Sequence, residues 1–400
     1  MISLVDKNKC SGCSACFNVC KYSALSMETD IDGFWYPKID SEKCVKCGLC
    51  EKVCPALEKP IYNCTEPRAF IVQSMDDDIR RQSTSGGAFT EIAKETLKRG
   101  GVVFGAAIDD NFNVFHIGVE YEDELAKFRN SKYVQSRIDH SYNKAEMYLK
   151  QGREVCFSGT PCQIYALKKY LGKEFENLVT VDFMCRAVPS PKILNKYLVY
   201  QKEKYPTFDR IVFRDKVRGY SYSGVALYEG QEILYRAGSE LDPWLRLFLG
   251  GYCNRESCYE CLYQSGVRAS DITLWDCWGT EKYAPEWDDN KGTTNVISWT
   301  EKGIMLLTCS KNIRVKEIGI KNIDASLDRN GSLPRPEYDR KVFIKECDEL
   351  SAKEFINKYA PITLKVRMKS LARETIHILH LHNSVRKIIH KLRKIWKGKK

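Results

Sequence analysis

The hydrophobic pattern of this chain changes near residue 68. The stretch before it, residues 55–67, shows little periodicity, whereas after it apolar runs alternate with segments whose apolar residues recur every three to four positions. The runs predict strands over residues 69–73, 101–108, 154–158 and 178–184, and the recurring segments predict helices over 87–99 and 163–171. Strands that alternate with helices predict an α/β domain with a mixed sheet.

A different pattern follows around residues 210–240. Three runs there, residues 211–214, 225–228 and 233–236, predict antiparallel strands. A chain of 400 residues is long enough for two or three folding units. We therefore predict an α+β or α/β protein in four parts: an N-terminal unit over 1–56, a linker over 57–67, a larger α/β domain over 68–345 and a helical, basic tail over 346–400.

The positive charge of the chain lies in its tail. The formal net charge is +11, from 63 lysines and arginines against 52 acids. Residues 365–400 hold 12 of the bases and one acid, Glu374, which leaves 51 of each sign in the remainder. The body is therefore neutral. Nucleic acid is not expected as a partner, because no aromatic platform for base stacking accompanies the charge.

Apolar residues recur within the tail at a spacing of three to four, with basic residues between them. They are Val385, Ile388, Ile389, Leu392, Ile395 and Trp396. Such a helix suits an anionic membrane surface, so we predict peripheral contact with the inner face of a membrane through residues 365–400. The alternative is a solvated helix that packs on its own domain.

The sequence favours a cytoplasmic location. The N-terminus has no apolar signal core, and no run of about 18 apolar residues occurs. Eighteen cysteines would suit a disulfide-rich secreted protein, but their spacing here is typical of metal sites.

Eight of the cysteines form two copies of the unit C-x2-C-x2-C-x3-C, which surrounds cubane iron–sulfur clusters and sends its fourth cysteine to the other cluster. This spacing predicts one [4Fe-4S] cluster at Cys10, Cys13, Cys16 and Cys54, and a second at Cys44, Cys47, Cys50 and Cys20. The unit resembles bacterial-type two-cluster ferredoxins. One departure is that Lys21 follows the first unit, where Pro55 follows the second.

Further cysteines lie downstream. Cys253, Cys258 and Cys261 have the spacing C-x4-C-x2-C, which taken alone matches the opening of a plant-type [2Fe-2S] site, with zinc as an alternative. Cys162 and Cys185 each follow an apolar run, at the edge where open α/β sheets bind ligands. Either could be a buried structural thiol, but together with the downstream cysteines they predict a third cluster. We interpret the others as ordinary thiols: Cys64, Cys156, Cys277, Cys309 and Cys347.

Ser85, Gly86 and Gly87 stand where a loop meets the predicted helix over 87–99. Paired glycines let a backbone approach a ligand, and a helix N-terminus presents N–H groups to an anion such as the pyrophosphate of FAD. A plain helix cap explains Ser85 equally well. Flavin is also the commonest cofactor that converts the single electrons of clusters into pairs, so FAD is predicted.

Several motifs together resemble the coenzyme F420 hydrogenase/dehydrogenase beta-subunit family, over about residues 65–340. They are Ser85-Gly-Gly-Ala-Phe, Gly101-Val-Val-Phe-Gly-Ala, Ser131-Lys-Tyr-Val-Gln-Ser, Ser158-Gly-Thr-Pro-Cys-Gln, the Cys185 segment with Pro189-Ser-Pro, Phe213-Arg-Asp-Lys, the Cys258 to Cys261 segment, and Ser270-Asp-Ile-Thr with Trp278-Gly. Members with an N-terminal two-cluster ferredoxin resemble bacterial proteins associated with polysaccharide biosynthesis.

The resemblance implies an FAD, a further [4Fe-4S] cluster close to it and a pocket for a hydride partner. The implied cluster ligands are Cys162, Cys185, Cys258 and Cys261, with Cys253 as the rival for one place. The implied FAD contacts are Ser85, Gly86 and Gly87 at the phosphates, and Lys132, Thr160 and Gln163 nearer the isoalloxazine. One departure lies in the segment Asp276-Cys-Trp-Gly. Cys277 stands there at the position of the phenylalanine, where the family resembles Asp-Phe-Trp-Gly.

We predict an iron–sulfur flavoprotein oxidoreductase that passes electrons between clusters and FAD and exchanges hydride with an organic substrate or a deazaflavin-type coenzyme. Its partners would be a redox protein or soluble ferredoxin and a small-molecule hydride donor or acceptor. No acid or base is predicted to be catalytic. The alternatives are a non-catalytic electron-transfer subunit of a hydrogenase or dehydrogenase, and a glycan-modifying reductase recruited to a membrane by its tail.

Overall fold

The computed structural model describes residues 5–58, 66–263, 266–321, 323, 333 and 335–378. The N-terminal unit contains two short helices, α1 (Ala15–Val19) and α2 (Leu49–Lys52), and one antiparallel hairpin, β1 (Leu25–Thr29) and β2 (Trp35–Ile39). Most of its remaining residues form the turns that carry the cysteines. This arrangement agrees with the predicted ferredoxin domain.

A mixed sheet of eight strands forms the centre of the larger domain. Its strands are β3 (Arg68–Ser74), β4 (Val102–Ile108), β5 (Val114–Val119), β6 (Val155–Gly159), β7 (Leu178–Phe183), β11 (Ile272–Asp276), β12 (Thr294–Ser298) and β13 (Ile313–Ile318). Their order across the sheet is β13-β3-β12-β11-β7-β6-β4-β5. The neighbours β4, β6, β7 and β11 run parallel, and the other pairings are antiparallel. The predicted mixed sheet is confirmed, and the parallel strands bring their carboxyl ends to one edge.

Helices cover both faces of this sheet. One face packs against α4 (Ala88–Lys98) and α9 (Glu301–Cys309), with α3 (Asp77–Gln82) following β3; the other packs against α5 (Ser141–Lys150) and α6 (Pro161–Leu171). Successive strand residues alternate between the two layers: Cys156 faces the α4 side, and Val155 and Phe157 face the α6 side. Both faces are thus buried, which explains the continuous apolar runs in the sequence.

A second apolar core lies beside the large sheet. It joins the antiparallel strands β8 (Arg210–Asp215), β9 (Gly224–Glu229) and β10 (Glu232–Ala237) to α7 (Pro191–Lys202), α8 (Pro243–Leu249), α10 (Arg340–Glu349) and α11 (Ala352–Tyr359). The strand order β10-β9-β8 agrees with the three predicted antiparallel strands.

The last described helix, α12 (Leu364–Ile378), contacts the same part of the molecule. Arg373 forms an ion pair with Glu240 at 2.6 Å, and Arg218 forms one with Glu374 at 2.6 Å. This start of the tail therefore packs on its own domain. The amphipathic stretch predicted from Val385 to Trp396 lies outside the described residues, as do Cys64 and most of the predicted linker. None of the described helices is long and apolar enough to cross a membrane.

The N-terminal unit packs against the layer formed by α5 and α6. Its Cys13, Ala15 and Val53 belong to the same apolar cluster as Phe157 and Leu167 of the larger domain. Polar contacts extend this interface: the Asn143 amide donates to the Asn18 carbonyl at 2.9 Å, and the Lys192 ammonium donates to the Ile31 carbonyl at 2.7 Å. The two parts therefore share one core.

Gly33, between β1 and β2, marks a close approach of the two parts. Its φ is +83°, and an added Cβ would stand 2.3 Å from Lys192 Cβ and 2.9 Å from Ser190 Oγ. Gly152 has a similar φ of +78°, but nothing lies within 4 Å of its added Cβ. The two glycines therefore separate the cost of the backbone conformation from that of the overlap.

We expect Gly152→Ala to lower the free energy of unfolding by about 1 kcal/mol, the cost of a positive φ. Gly33→Ala should lower it by roughly 1–3 kcal/mol more, because the methyl group overlaps α7. Urea unfolding of anaerobically purified protein measures both values. Equal losses for the two variants would show that Gly33 does not set the fit between the two parts.

Candidate functional site

Four cysteines come together at the carboxyl edge of the parallel strands. Cys162 is the second residue of α6, directly beyond β6, and Cys185 follows β7. Cys258 ends the short turn Glu256–Cys258, and Cys261 lies three residues further on. The thiols of Cys258, Cys162 and Cys261 all act electrostatically on Cys185. We call these four cysteines the inner set. The structure thus brings together the residues implied by the family resemblance, and their ligation remains a prediction.

Burial dominates the acidity of the inner set. It raises the pKa of Cys258 to about 12, a rise to which the Cys261 thiol adds, and it raises the pKa of Cys185 well above its usual range. Such thiols stay protonated near neutral pH unless a metal cation replaces the proton. Val188 N–H donates to Cys258 Sγ at 3.4 Å, and Thr160 Oγ1 lies 3.1 Å from Cys162 Sγ. Hydrogen bonds to sulfur are one means of setting the potential of a cluster, so the surroundings suit a thiolate-bound cluster.

Cys253 is directed elsewhere. Its side chain is 1% exposed and packs in the second apolar core with Phe343. Burial raises its thiol pKa, and Arg340 is the charged group that lowers it. The geometry therefore favours Cys162 over Cys253 as the fourth member of the inner set. It does not favour the alternative [2Fe-2S] or zinc site built on C-x4-C-x2-C.

The N-terminal cysteines fall into the two crossed groups predicted from their spacing. Burial is the main cause that raises the pKa of Cys16, and the thiols of Cys13, Cys10 and Cys54 raise it further. We call these four the middle set. The other four line a single cavity and are called the outer set: Cys20, Cys44, Cys47 and Cys50. Cys47 is exposed, so the outer set lies at the surface.

Within the part of the chain that the structure describes, no group of three or more cysteine, histidine, aspartate or glutamate side chains is spaced to hold a metal ion. The thiolates of a cubane each bind a different iron, so they stand around a cluster rather than around one ion. Ligation by the outer, middle and inner sets stays a prediction.

The middle and inner sets are neighbours across the interface between the two parts. Burial is the main cause that raises the pKa of Cys13 of the middle set. The thiols of Cys10 and of Cys162 of the inner set raise it further. Burial is the main cause that raises the phenol pKa of both Tyr142 and Tyr263. Cys13 and Cys162 raise both pKa values further, so the two tyrosines lie beside both sets. The Tyr263 hydroxyl donates to the Pro55 carbonyl at 2.7 Å. The middle and inner sets therefore adjoin, and the outer set lies at the surface.

The predicted glycine turn lies between β3 and α4. Gly86 N–H donates to Thr294 Oγ1 at 2.9 Å, and a Cβ on Gly86 would stand 2.5 Å from the Val72 carbonyl oxygen. Packing between strands therefore requires this glycine, whatever binds nearby. Ser85 Oγ lies 2.9 Å from Thr294 Oγ1, and Gly87, with a φ of +82°, is the N-cap of α4. The roles of these three residues in binding phosphate remain predictions.

A buried lysine stands beneath this turn. The Lys216 ammonium donates to three carbonyl oxygens, those of Arg80, Ser85 (2.8 Å) and Lys291 (2.7 Å). Burial, followed by the charge of Arg80, lowers the Lys216 pKa to about 7. Together with the positive end of the α4 dipole, the ammonium makes this turn suited to an anion.

The three residues predicted nearer the isoalloxazine occupy separate positions. The Lys132 ammonium donates to the carbonyls of Lys127 and Arg129, both at 2.8 Å, and burial lowers its pKa to about 7. Thr160 N–H donates to Gln163 Oε1 at 2.9 Å, which caps α6. The loop before Lys132 reaches the glycine turn, because Ser131 Oγ lies 2.9 Å from Thr84 Oγ1. Contact with a flavin stays a prediction for all three.

The sequence patterns did not predict two groups of side chains near the site. One is Arg255, which is fully buried between the middle and inner sets. The other follows β11: the Arg214 guanidinium bonds Asp276 at 3.0 Å, the Tyr220 hydroxyl donates to Asp276 at 2.8 Å, and Tyr220 stacks on Trp278 with ring centroids 4.3 Å apart. The motifs at Phe213 and Trp278 pointed to the second group. Nothing in the sequence distinguishes Arg255 from the other arginines.

Two family models match this chain. Residues 152–323 match the model that describes the C terminus of the coenzyme F420 hydrogenase/dehydrogenase beta subunit, and residues 9–57 match the model of a 4Fe-4S dicluster domain. The first match contains all four cysteines of the inner set, and the second contains the outer and middle sets.

Among curated proteins, the chain is similar to a coenzyme F420-dependent sulfite reductase of Methanocaldococcus jannaschii, with 27% identity over 75% of this chain and 46% of the relative. An uncharacterized protein of the same organism is 26% identical over 42% of this chain and 54% of its own length. The chain thus spans about half the length of these relatives. Among solved structures, the F420-reducing [NiFe] hydrogenase complex from Methanosarcina barkeri aligns with a TM-score of 0.44 and 13% identity, over 76% of this chain and 94% of that one.

The assignment of the inner set predicts different effects of replacing Cys185 and Cys253. We expect Cys185→Ser to lower the iron content from about 12 to about 8 per chain, because one cubane of four irons is lost. Cys253→Ser should keep about 12, because its side chain packs in an apolar core. Iron and acid-labile sulfide, assayed after anaerobic purification, measure this. Loss of iron in Cys253→Ser with retention in Cys185→Ser would contradict the assignment.

Proposed function

We propose a function for a chain that belongs, over residues 152–323, to the coenzyme F420 hydrogenase/dehydrogenase beta-subunit family and carries a 4Fe-4S dicluster domain over residues 9–57. It is an iron–sulfur oxidoreductase or electron-transfer protein of that family. Our proposal is that it is a flavin-dependent enzyme, in which FAD exchanges hydride with a small organic partner. The observation that carries the proposal is the packing of Cys13 of the middle set in one core with Phe157 and Leu167, which brings it close enough to Cys162 of the inner set for that thiol to raise the Cys13 pKa.

When bound, the clusters would supply one-electron transfer and FAD would supply the conversion between single electrons and hydride. The chain itself supplies position. The outer set stands at the surface at Cys47, and the inner set stands at the carboxyl edge of the sheet. Tyr142 and Tyr263 are buried beside both the middle and inner sets. The arrangement supports a single line from the surface to the sheet edge.

The glycine turn supports the placement of the FAD phosphates. The α4 N-terminus carries partial positive charge, and Lys216 adds a buried ammonium below the Ser85 carbonyl. The loop that contains Lys132 is held against this turn through Ser131 and Thr84. Ser85, Gly86 and Gly87 would hold the FAD phosphates, and Lys132, Thr160 and Gln163 would contact the isoalloxazine.

A deazaflavin-type coenzyme is our proposal for the hydride partner. The name of one relative, a coenzyme F420-dependent sulfite reductase, supports it. The exposed face of Trp278, which is 47% exposed and backed by Tyr220, is a flat apolar surface near the end of β11. Flat aromatic surfaces suit planar ring systems.

One observation favours a second candidate function, an electron-transfer subunit without catalysis of its own. Apolar side chains surround the outer set at the surface: Tyr22 is 52% exposed and Val45 is 55% exposed. A redox protein partner could dock there. The glycan-modifying alternative and the membrane contact of the tail stay predictions.

Flavin retention tests the proposal. We expect the anaerobically purified chain to hold FAD, and Lys216→Met to weaken FAD binding at least tenfold, which is about 1.4 kcal/mol. The matched control is Lys291→Met, which removes a half-exposed ammonium from the same turn region. Flavin released by denaturation and the Kd for added FAD measure the effect, and iron content reports whether each variant folds.

The outcomes separate the two functions. Bound FAD that is reduced by a reduced deazaflavin supports the enzyme. Full iron without FAD in the wild type, even after FAD is added, would contradict it and leave the electron-transfer subunit. Equal FAD affinity in Lys216→Met and Lys291→Met would refute the role of Lys216 in the phosphate site.

A further inference from the structure

Arg255 joins the two parts of the molecule at the point where the middle and inner sets meet. Its side chain is fully buried. Its guanidinium donates to the Cys10 carbonyl at 2.8 Å and to the Trp35 carbonyl at 3.1 Å, both in the N-terminal unit, and to Gln135 Oε1 at 3.3 Å in the larger domain. It also lies over the Tyr36 ring, 4.0 Å from the centroid. These contacts hold the guanidinium in one orientation.

No carboxylate among the described residues forms an ion pair with Arg255. The buried Arg80 and Arg214, by contrast, pair with Asp289 and Asp276. Taking a guanidinium out of water costs several kcal/mol unless a negative group stands near it. Carbonyl oxygens and an aromatic face offset only part of this cost, so a further anion close to the guanidinium would stabilise it.

Cysteines of both sets lie close to that position. Arg255 bonds the backbone of Cys10, a member of the middle set. Burial raises the thiol pKa values of Cys162 and Cys258 of the inner set, and the charge of Arg255 draws both back down, so its field reaches that set as well. An added Cβ at Gly12 would stand 2.8 Å from Arg255 Nη1, which shows how closely the middle-set loop encloses the guanidinium.

We propose that Arg255 is a positioning residue which sets the reduction potentials of the middle and inner centres together, by placing one buried positive charge between them. The proposal rests on the third centre of the proposed function. Each centre gains one electron on reduction and becomes more negative by one unit, with no bond made or broken. A low-potential one-electron donor, such as a reduced ferredoxin, supplies that electron at the outer set. Arg255 stabilises the reduced, more negative form of both centres.

The outer set has no contact with Arg255 among the described residues, and Arg255 is not among the residues that line its cavity. Its potential should therefore not depend on this residue. A raised potential at two adjoining centres would draw electrons inward from the surface. Arg255 thereby gives the line of centres a direction.

Redox titration followed by electron paramagnetic resonance tests this on the full chain, with Arg255→Gln and Arg255→Lys. We expect Arg255→Gln to keep about 12 irons per chain. We expect the reduction potentials of two of its three centres to fall by at least about 59 mV, which is a tenfold change in the equilibrium constant for one electron. Arg255→Lys keeps the charge and should keep both potentials closer to those of the wild type.

The matched control is Arg340→Gln. Arg340 is also an arginine at the interface, and it bonds Asp32 of the N-terminal unit at 2.9 Å, but it does not contact the middle or inner set. All three potentials should stay unchanged in this variant. A fall in Arg340→Gln equal to that in Arg255→Gln would mean that loosened packing, rather than charge, moves the potentials, and would overturn the proposal.

Three further results are decisive. Unchanged potentials in an Arg255→Gln protein with full iron would overturn the proposal and leave the proposed function intact. If Arg255→Gln does not fold, Arg255→Lys decides. Middle and inner potentials close to those of the wild type would support the role of the charge. A fall of both potentials that corresponds to a tenfold change in the equilibrium constant would overturn it. A wild type with about 8 irons would refute the third centre itself, and with it the bridging role.

Discussion

The packing of a small cysteine-rich unit on a much larger sheet is the contact on which the rest of this structure depends. A unit of this size buries too little apolar surface to be stable through its own core, and metal clusters are one common remedy. Here the larger domain contributes as well, because Cys13, Ala15 and Val53 share a core with Phe157 and Leu167. The same contact sets the separation of the middle and inner cysteine sets. The stability of the N-terminal unit and the proposed route between centres therefore depend on the same contact.

The topology of the sheet explains why the chemistry collects at one edge. The strands β4, β6, β7 and β11 run parallel, so their carboxyl ends share that edge. Cys162, Cys185 and Asp276 stand at or just beyond the ends of three of them. Backbone groups at strand ends are released from the sheet and can serve turns and ligands. The candidate site is thus a consequence of strand direction.

Electrostatics in the interior differ from those of the chain as a whole. Outside its tail the chain has equal numbers of acidic and basic residues, yet burial selects cations at the places where anionic groups are proposed. Arg255 lies between two cysteine sets, Lys216 lies below the glycine turn, and the charge of Arg268 reaches Cys185. In a medium of low dielectric constant each of these charges acts over a longer distance than it would in water. Their effect on a cluster or phosphate bound nearby would be correspondingly large.

The sequence by itself determined the features that depend on near neighbours along the chain. The spacing of the N-terminal cysteines predicted two crossed groups, and the alternation of apolar runs predicted the mixed sheet and the helix that became α4, because spacing and periodicity are local properties. Tertiary structure decided the rest. Arg255 reaches Cys10 across 245 residues of sequence, Gly86 is required by strands that are distant in the chain, and Cys253 turns into an apolar core although its spacing made it a rival ligand. Contacts of this kind depend on how complete elements pack against one another, and no local pattern of residues encodes them.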